Sequence, residues 1–284
     1  AGFFITVLAT TGVLIVLALL SVFLPVNDLN IAGMTMSVYN LISQYILIIG
    51  SIVALVFLAV AGNEKRAAAG LTRQNWKSAV FIVLLFVGIY IVRTVVSMAG
   101  QGVSDGSGMQ YVKEWAAMFK NPMMWLNIAA LPINYFFVFI AFFGEEYGWR
   151  YYLQPVLQKR FGLRAGVIIL GVVWGLWHIP DDLFYYTQTS GIQMIFAQQI
   201  TCISLGIFFA YAYMKTQNIW VPVCLHYLNN NLIPIISGTF SADVLENQTV
   251  SWKDLPVALV LNRLCFGFFL LADVFKKKEV QEEE

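Results

Sequence analysis

The segment from Leu131 to Arg150 reads LPINYFFVFIAFFGEEYGWR, and it decides the fold class. It is a run of apolar and aromatic residues that ends in two carboxylates and a guanidinium. A helix that crosses a bilayer needs about 20 predominantly apolar residues, and a charge at membrane depth costs ~3 to more than 10 kcal/mol. We therefore predict a transmembrane helix in which Glu145, Glu146 and Arg150 serve a specific purpose.

The composition extends this prediction to the whole chain. Of the 284 residues, 59% are hydrophobic and 12% are charged, and the mean hydropathy is +0.73. A soluble domain carries about 25% charged residues. Lipid admits only helices or closed barrels, and the apolar runs lack period-2 alternation. The predicted fold is all-α, a polytopic transmembrane helical bundle in a single integral-membrane domain over 1–284. The lipid bilayer surrounds it, and a net charge of +1 gives no sign of a nucleic-acid partner.

About eight spans fit the apolar runs. The first run, from Phe3 to Val26, is too long for a signal peptide, so we predict that it is retained. The expected spans are 3–25, 39–62, 78–99, 127–158, 165–180, 192–214, 218–236 and 256–275.

Lysine and arginine predict the orientation, because they concentrate in cytoplasmic loops. If both termini are inside, eleven of the 17 basic residues lie inside and three lie outside, so we expect both termini to be cytoplasmic. The eleven are Lys65, Arg66, Arg73, Lys77, Lys159, Arg160, Arg164, Lys215, Lys276, Lys277 and Lys278, and the three are Lys113, Lys120 and Lys253.

The two glutamates of the opening segment are predicted to differ in role. Glu146 and Arg150 are four residues apart, so they share a helical face and can pair, which makes Glu146 structural. Glu145 points about 100° away, along the face of Gly148. A carboxylate in an apolar site suits proton transfer, and we predict that Glu145 is a general base. The alternative is that all three charges form a buried polar clamp between helices.

His178 lies near the end of an apolar segment. The midpoint between Glu145 and His178 falls between Phe161 and Gly162, inside the predicted turn over 159–164. Residues equidistant from the turn of an antiparallel hairpin lie at the same depth, so we predict that Glu145 and His178 face each other. The alternative is an interfacial histidine with no catalytic role.

His226 and Asn230 are also four residues apart, and both side chains donate hydrogen bonds without a fixed charge. Such a pair can stabilise a developing oxyanion. The alternative is a hydrogen-bonding strip between helices, for which Asn229 and Asn231 are the candidates. The three cysteines lie in apolar runs without ligand-like spacing, and we interpret them as small buried hydrophobes: Cys202, Cys224 and Cys265.

Together these pieces resemble the CAAX-protease and bacteriocin-processing family of intramembrane endopeptidases, also called the ABI family. Its motifs are Glu-Glu-x-x-x-Arg, aromatic-x-x-x-His and His-x-x-x-Asn, and they are matched in order at 145–150, 174–178 and 226–230. Trp174 stands where Phe is usual, and Tyr151 replaces a usual Gly. The resemblance covers about 130–236.

The resemblance implies an eight-helix fold and a glutamate-dependent, metal-independent endopeptidase with no cofactor. It implies that Glu145 and His178 activate the water, while His226 and Asn230 stabilise the tetrahedral intermediate. It assigns supporting roles to the remaining motif residues, Glu146, Arg150 and Trp174. The implied substrate is a peptide or a small membrane protein. The sequence looks closer to the bacterial members than to the eukaryotic ones, which implies a bacterial plasma membrane.

Three alternatives stay open. A zinc protease would use Glu145, His178 and His226 as ligands, a known catalytic set. A scaffold or bacteriocin-immunity protein would use the same fold without cleaving a substrate. A transporter would use the same groups as a proton relay, but the sequence shows no broken helices in two related halves.

Overall fold

The computed structural model describes residues 1–24, 26–31, 34–101, 107–237 and 247–276. Lys277 and Lys278, which were counted for the orientation, lie outside the described residues. The chain divides into two compact units: the first is Ala1–Thr72 with Ala129–Glu145, and the second is Arg73–Ile128 with Glu146–Glu284. The single domain over 1–284 stays a prediction.

The described residues are predominantly helical. In chain order the α-helices are α1 (Gly2–Phe23), α2 (Val38–Val60), α3 (Asn63–Ala68), α4 (Trp76–Gln101), α5 (Gly108–Met118), α6 (Pro122–Glu146), α7 (Gln154–Phe161), α8 (Leu163–Trp177), α9 (Ile179–Phe184), α10 (Gly191–Thr216), α11 (Trp220–Ser237) and α12 (Asp254–Cys265). A π-helix covers Tyr147–Leu153, and 3-10 helices cover Gly267–Leu271 and Asp273–Phe275. Two short antiparallel strands, β1 (Leu29–Ile31) and β2 (Met34–Met36), pair Leu29 with Met36.

Six helical segments in the described residues are long and apolar enough to cross a membrane. They coincide with the first six predicted spans: Gly2–Phe23, Val38–Val60, Trp76–Gly100, Pro122–Phe161, Leu163–Phe184 and Gly191–Thr216. The polytopic helical bundle is therefore confirmed, and the protein is an integral membrane protein. The count of eight spans and the orientation of the termini stay predictions.

The last two predicted spans differ from the first six. The span over 218–236 corresponds to α11, which has 18 residues. The segment 256–275 is not one continuous α-helix, because α12 ends at Cys265 and 3-10 turns follow. The break falls between Phe266, which is fully buried, and Gly267, whose residue type has low helix propensity.

In the first unit, α1 packs along α2. Gly50 of α2 lies so close to Thr10 of α1 that a Cβ atom on it would clash with the threonine side chain. Phe3 and Phe143 pack edge to face with ring centroids 4.9 Å apart. A small residue at the crossing thus lets two apolar helices approach closely, as is common in membrane bundles.

In the second unit, α10 is central and packs against α4, α8, α9, α11 and α12. Its core contains Phe86 of α4 stacked on Phe208 of α10, with centroids 5.6 Å apart, and the fully buried Phe266. A Cβ atom on Gly171 of α8 would lie 2.6 Å from the Cα of Ile203, so α8 and α10 are in close backbone contact. This contact fixes the helix that carries Trp174 and ends at His178.

The turn between α7 and α8 lies where the sequence predicts it. Gly162 separates the two helices with φ of +90°, a conformation that favours glycine. A Cβ atom on Gly166 of α8 would lie 2.6 Å from the backbone nitrogen of Gln158 in α7. The predicted turn over 159–164 is therefore confirmed, and two glycines permit the tight hairpin.

Candidate active site

The Glu146–Arg150 pair is formed and completely buried. Nε of Arg150 donates to Oε2 of Glu146 at 2.9 Å, and both side chains are 0% exposed. Nη1 of Arg150 donates to the carbonyl of Gly206 at 3.2 Å. The guanidinium also lies 5.2 Å from the ring centroid of Trp174. The predicted pairing is confirmed, and it connects the charged motif to α8 and α10.

The same carboxylate has a second partner that the spacing did not predict. Oε1 of Glu146 lies 2.9 Å from Nδ1 of His226 on α11. A carboxylate that faces a guanidinium is ionised and only accepts hydrogen bonds, so Nδ1 of His226 must donate. Glu146 therefore lies between two donors, and it sets the orientation of a histidine that is 80 positions away in the sequence.

This contact corrects one part of the sequence interpretation. The sequence predicts that His226 donates a hydrogen bond to an oxyanion while its own ring carries no fixed charge. Because Nδ1 already carries a proton, Nε2 accepts in the neutral ring and donates only when both nitrogens are protonated. An oxyanion donor at this position is thus an imidazolium, and the Glu146 carboxylate is its counter-charge.

His178 is also held through its Nδ1. It caps the C-terminus of α8, and its Nδ1 lies 2.9 Å from the carbonyl oxygen of Trp174 one turn earlier. A carbonyl only accepts, so Nδ1 carries the proton and Nε2 of the neutral ring keeps its lone pair. The ring is half-buried and suited to accept a proton or to orient a water molecule at Nε2.

Trp174 connects the two imidazoles. Its ring packs edge to face on both histidines, with centroid distances of 5.8 Å to His178 and 5.5 Å to His226. Only 3% of Trp174 is exposed, and its other contacts include the Arg150 guanidinium. The larger aromatic residue in place of the family's usual Phe therefore forms one wall for both histidines.

The histidines share a cavity with Asn230. The cavity has a volume of about 380 Å³ and is lined by Trp174, His178, His226 and Asn230, among others. Its volume is in the range of small-ligand and peptide side-chain sites. The second unit alone therefore brings four of the seven predicted site residues to one cavity and places Glu146 and Arg150 directly behind it.

The cavity is also lined by Tyr186 and Gln248. The backbone N–H of Gln248 donates to the carbonyl of Tyr186 at 2.9 Å, which attaches the segment after α11 to the loop before α10. Burial, and next the negative charge of Asp181, raise the pKa of Tyr186 to about 12. Its hydroxyl is therefore protonated at neutral pH.

Glu145 is half-buried and is the last residue of the first unit. The residues predicted to act with it all belong to the second unit. The predicted approach of Glu145 to His178 therefore stays a prediction, although the turn on which it depends is confirmed.

Cys202 and Asn229 also line the cavity, and the sequence analysis gave both of them other roles. Cys202 is buried as expected, but its Sγ also lies 3.8 Å from Nδ1 of His178. Asn229 was assigned to an interhelical strip, and it does bond Tyr90 of α4. Asn231 instead donates to the carbonyl of Tyr227 in its own helix.

A comparison with known proteins relates this geometry to a family. Residues 127–232 match the family model described as type II CAAX prenyl endopeptidase Rce1-like. The resemblance to the CAAX-protease family is confirmed. The matched region runs from α6 to α11 and contains all seven residues that the sequence analysis placed in the site.

One curated relative in the CAAX-protease family is CAAX prenyl protease 2 of Methanococcus maripaludis. It is 25% identical over 145 residues, which are 48% of this chain and 52% of the relative. The matched part thus spans about half the length of that protein. No solved structure matches the chain.

Within the described residues, no three His, Cys, Asp or Glu side chains are grouped closely enough to hold a metal ion. His178 and His226 line the same cavity, but Glu146, the carboxylate described beside them, is already bonded to Arg150 and His226. The arrangement in the second unit therefore brings two imidazoles and the Asn230 amide to one cavity, with the described carboxylate beside them held by other partners.

Proposed function

We propose that the protein is an intramembrane endopeptidase that hydrolyses a peptide bond with a glutamate-activated water molecule. The observation that carries the proposal is the pair of imidazoles that line one cavity, each held through Nδ1 by a buried acceptor. His178 is fixed as an acceptor by a carbonyl, and His226 is fixed against a carboxylate that favours the donor form. The family match to CAAX endopeptidases supports the same reaction class.

In the proposed reaction, Glu145 takes a proton from water while His178 orients the molecule through Nε2. The water oxygen forms a bond to the carbonyl carbon, and the carbonyl electrons move to its oxygen. His226 and Asn230 donate hydrogen bonds to this oxyanion. When the C–N bond breaks, the proton held by Glu145 passes to the leaving amine.

Glu146 and Arg150 act on the site through His226. The carboxylate accepts a hydrogen bond from Nδ1 of His226, and the Arg150 guanidinium bonds its other oxygen. The Glu146–Arg150 pair is fully buried. A fixed counter-charge allows the ring to carry a second proton in an apolar environment. The supporting role proposed for this pair is therefore to keep His226 charged and oriented.

The function is tested by assaying the purified protein in lipid nanodiscs with a library of internally quenched peptides. We expect cleavage at internal peptide bonds, with products that mass spectrometry identifies as hydrolysed. A folded protein that cleaves no member of the library, nor any membrane peptide extracted from its host, would favour the scaffold alternative.

Asn230→Ala is expected to lower kcat by ~10²–10³-fold, the effect of removing one oxyanion donor. The Michaelis constant should change little, because the donor acts on a charge that exists only in the transition state. Steady-state kinetics on the best peptide of the library measures both. Asn231→Ala is the matched control, since Asn231 bonds its own helix. Equal losses in the two variants would contradict the assignment.

Purified protein is expected to contain no stoichiometric zinc, because Glu145 supplies a base without a metal. Elemental analysis measures the metal content, and incubation with a chelator followed by added zinc measures its effect on cleavage. One zinc per chain, lost together with activity and restored by zinc, would establish the zinc protease instead.

We also propose a location for the reaction. The excess of basic residues in the predicted inner loops supports cytoplasmic termini, and the proposed location is a bacterial plasma membrane. The proposed substrate is a peptide or a small membrane protein that is matured or degraded. The name of the curated relative describes that protein, and it does not decide the substrate of this one.

A further inference from the structure

A chain of two hydrogen bonds leads from α4 to the proposed oxyanion donor. The hydroxyl of Tyr90 donates to Oδ1 of Asn229 in a short hydrogen bond. Nδ2 of Asn229 in turn donates to Oδ1 of Asn230 at 3.0 Å. Asn229 and Asn230 both line the cavity, whereas Tyr90 lies behind it in the core of the second unit.

The first member of this chain is rigidly held. Tyr90 is 5% exposed, and its ring packs against Phe86 at 4.9 Å and against Phe266 at 5.1 Å between centroids. Both phenylalanines are fully buried. The position of the Tyr90 hydroxyl is therefore set by core packing and does not depend on the cavity or on its contents.

The direction of the two bonds has a chemical consequence. An amide group has an acceptor at one end and a donor at the other, and a flip of the group exchanges them. The Tyr90 hydroxyl donates its one proton to the oxygen of Asn229, so that oxygen lies on the tyrosine side. The NH2 group of Asn229 then holds the oxygen of Asn230, and the NH2 group is the end of Asn230 that remains to donate.

We propose that Tyr90 and Asn229 are positioning residues that orient the Asn230 amide so that it presents N–H groups to the oxyanion. This inference rests on the proposed function, because it assigns both residues to the same reaction. Without these two hydrogen bonds, the Asn230 amide could present its oxygen to the oxyanion, and that oxygen would repel the negative charge.

The decisive variant is Asn229→Asp. An aspartate still accepts from Tyr90, but it replaces the NH2 donor with a second acceptor. The Asn230 amide is then expected to flip so that its NH2 group faces Asp, which turns its oxygen toward the cavity. We expect kcat to fall by ~10²-fold, as for the loss of an oxyanion donor, with the Michaelis constant unchanged.

Two further variants complete the test. Tyr90→Phe removes only the hydroxyl, and we expect kcat to fall by ~10-fold, the scale of one net hydrogen bond. Combining Asn229→Asp with Asn230→Ala should cost no more than Asn230→Ala alone, because both act through one amide. The matched controls are Asn231→Asp and Tyr211→Phe, since Tyr211 packs on Phe208 and Phe269 as Tyr90 packs on its own neighbours.

A measurement independent of cleavage separates this proposal from the proposed function. The protein is labelled with ¹³C at the tyrosine ζ carbon, and the Tyr90 resonance is identified by its loss in Tyr90→Phe. Its chemical shift should change in Asn229→Leu and remain unchanged in Asn231→Leu. If the wild-type protein cleaves no peptide, the proposed function fails, and this shift still tests the Tyr90–Asn229 bond.

The outcomes are distinct. The proposal is supported if Asn229→Asp and Tyr90→Phe lower kcat at constant Michaelis constant while the controls do not. It is overturned if Asn230→Ala is inactive but both of these variants keep normal kcat, and the proposed function then stands. It is also overturned if the Tyr90 resonance is the same in wild type and in Asn229→Leu.

Discussion

Glu145→Gln is expected to lower the rate of peptide-bond cleavage by ~10²–10⁴-fold, the contribution of a general base. Glutamine keeps the shape of the side chain and most of its hydrogen-bonding capacity, but it cannot accept the proton of the attacking water. Because the change is nearly isosteric, the melting temperature should stay close to that of the wild type. Single-turnover kinetics with excess protein over the best quenched peptide measures the effect on the chemical step.

The control for this variant is Glu64→Gln. Glu64 is exposed near the start of α3, so the same chemical change at this position should leave both cleavage and stability unchanged. If Glu145→Gln cleaves peptides at a rate within a few-fold of the wild type, Glu145 is not the base. The water would then need another proton acceptor, and the lone pair of His178 would be the first candidate.

Glu146→Ala is expected to lower the free energy of unfolding by ~3–5 kcal/mol, the cost of leaving a buried charge without its partner. The estimate applies because Glu146 and Arg150 are both 0% exposed. The same change removes the acceptor of His226 Nδ1, so stability and orientation of the site are lost together. Expression level and melting temperature in detergent measure the effect.

The double variant Glu146→Ala, Arg150→Met tests whether the unpaired charge of Arg150 causes this loss of stability. Removing the second charge should restore part of the lost stability, because Met fills the space without a charge. It should not restore cleavage, since His226 still lacks its counter-charge. If Glu146→Ala is instead fully stable yet inactive, the roles assigned to the two glutamates are reversed.

Much of this architecture follows from local sequence rules. Six spans are predictable from length and apolarity, since a bilayer requires about 20 apolar residues per helix. The Glu146–Arg150 pair follows from the four-residue helical repeat. The turn at Gly162 follows from the polar, basic interruption between two apolar runs, and the φ of +90° explains why a glycine is present.

Other features could not be read from spacing. The bond from Glu146 to His226 joins residues 80 positions apart, and no periodicity relates them. The π-helix over Tyr147–Leu153 also escaped prediction, because a seven-residue stretch of i to i+5 bonding has no distinct apolar repeat. Such π segments occur often at functional sites, and this one begins directly after Glu146.

The last predicted span shows a different limit. Apolarity over 256–275 suggests one helix, but hydropathy measures burial and does not report backbone continuity. The direction of the Asn229 amide also could not be predicted, because the sequence does not show which of three consecutive asparagines bonds Tyr90. The sequence therefore predicted which residues are polar in lipid, while tertiary contacts decided what each of them does.

Glu145-dependent hydrolysis is the activity proposed for this protein. The most direct test compares membrane peptides by mass spectrometry in three strains of the native host: a deletion strain, the same strain carrying the wild-type gene, and the same strain carrying Glu145→Gln at equal protein level. We expect the peptides left uncleaved in the deletion strain to be left uncleaved also with Glu145→Gln and to be processed with the wild type. A Glu145→Gln strain whose membrane peptides match those of the wild type would contradict this proposal.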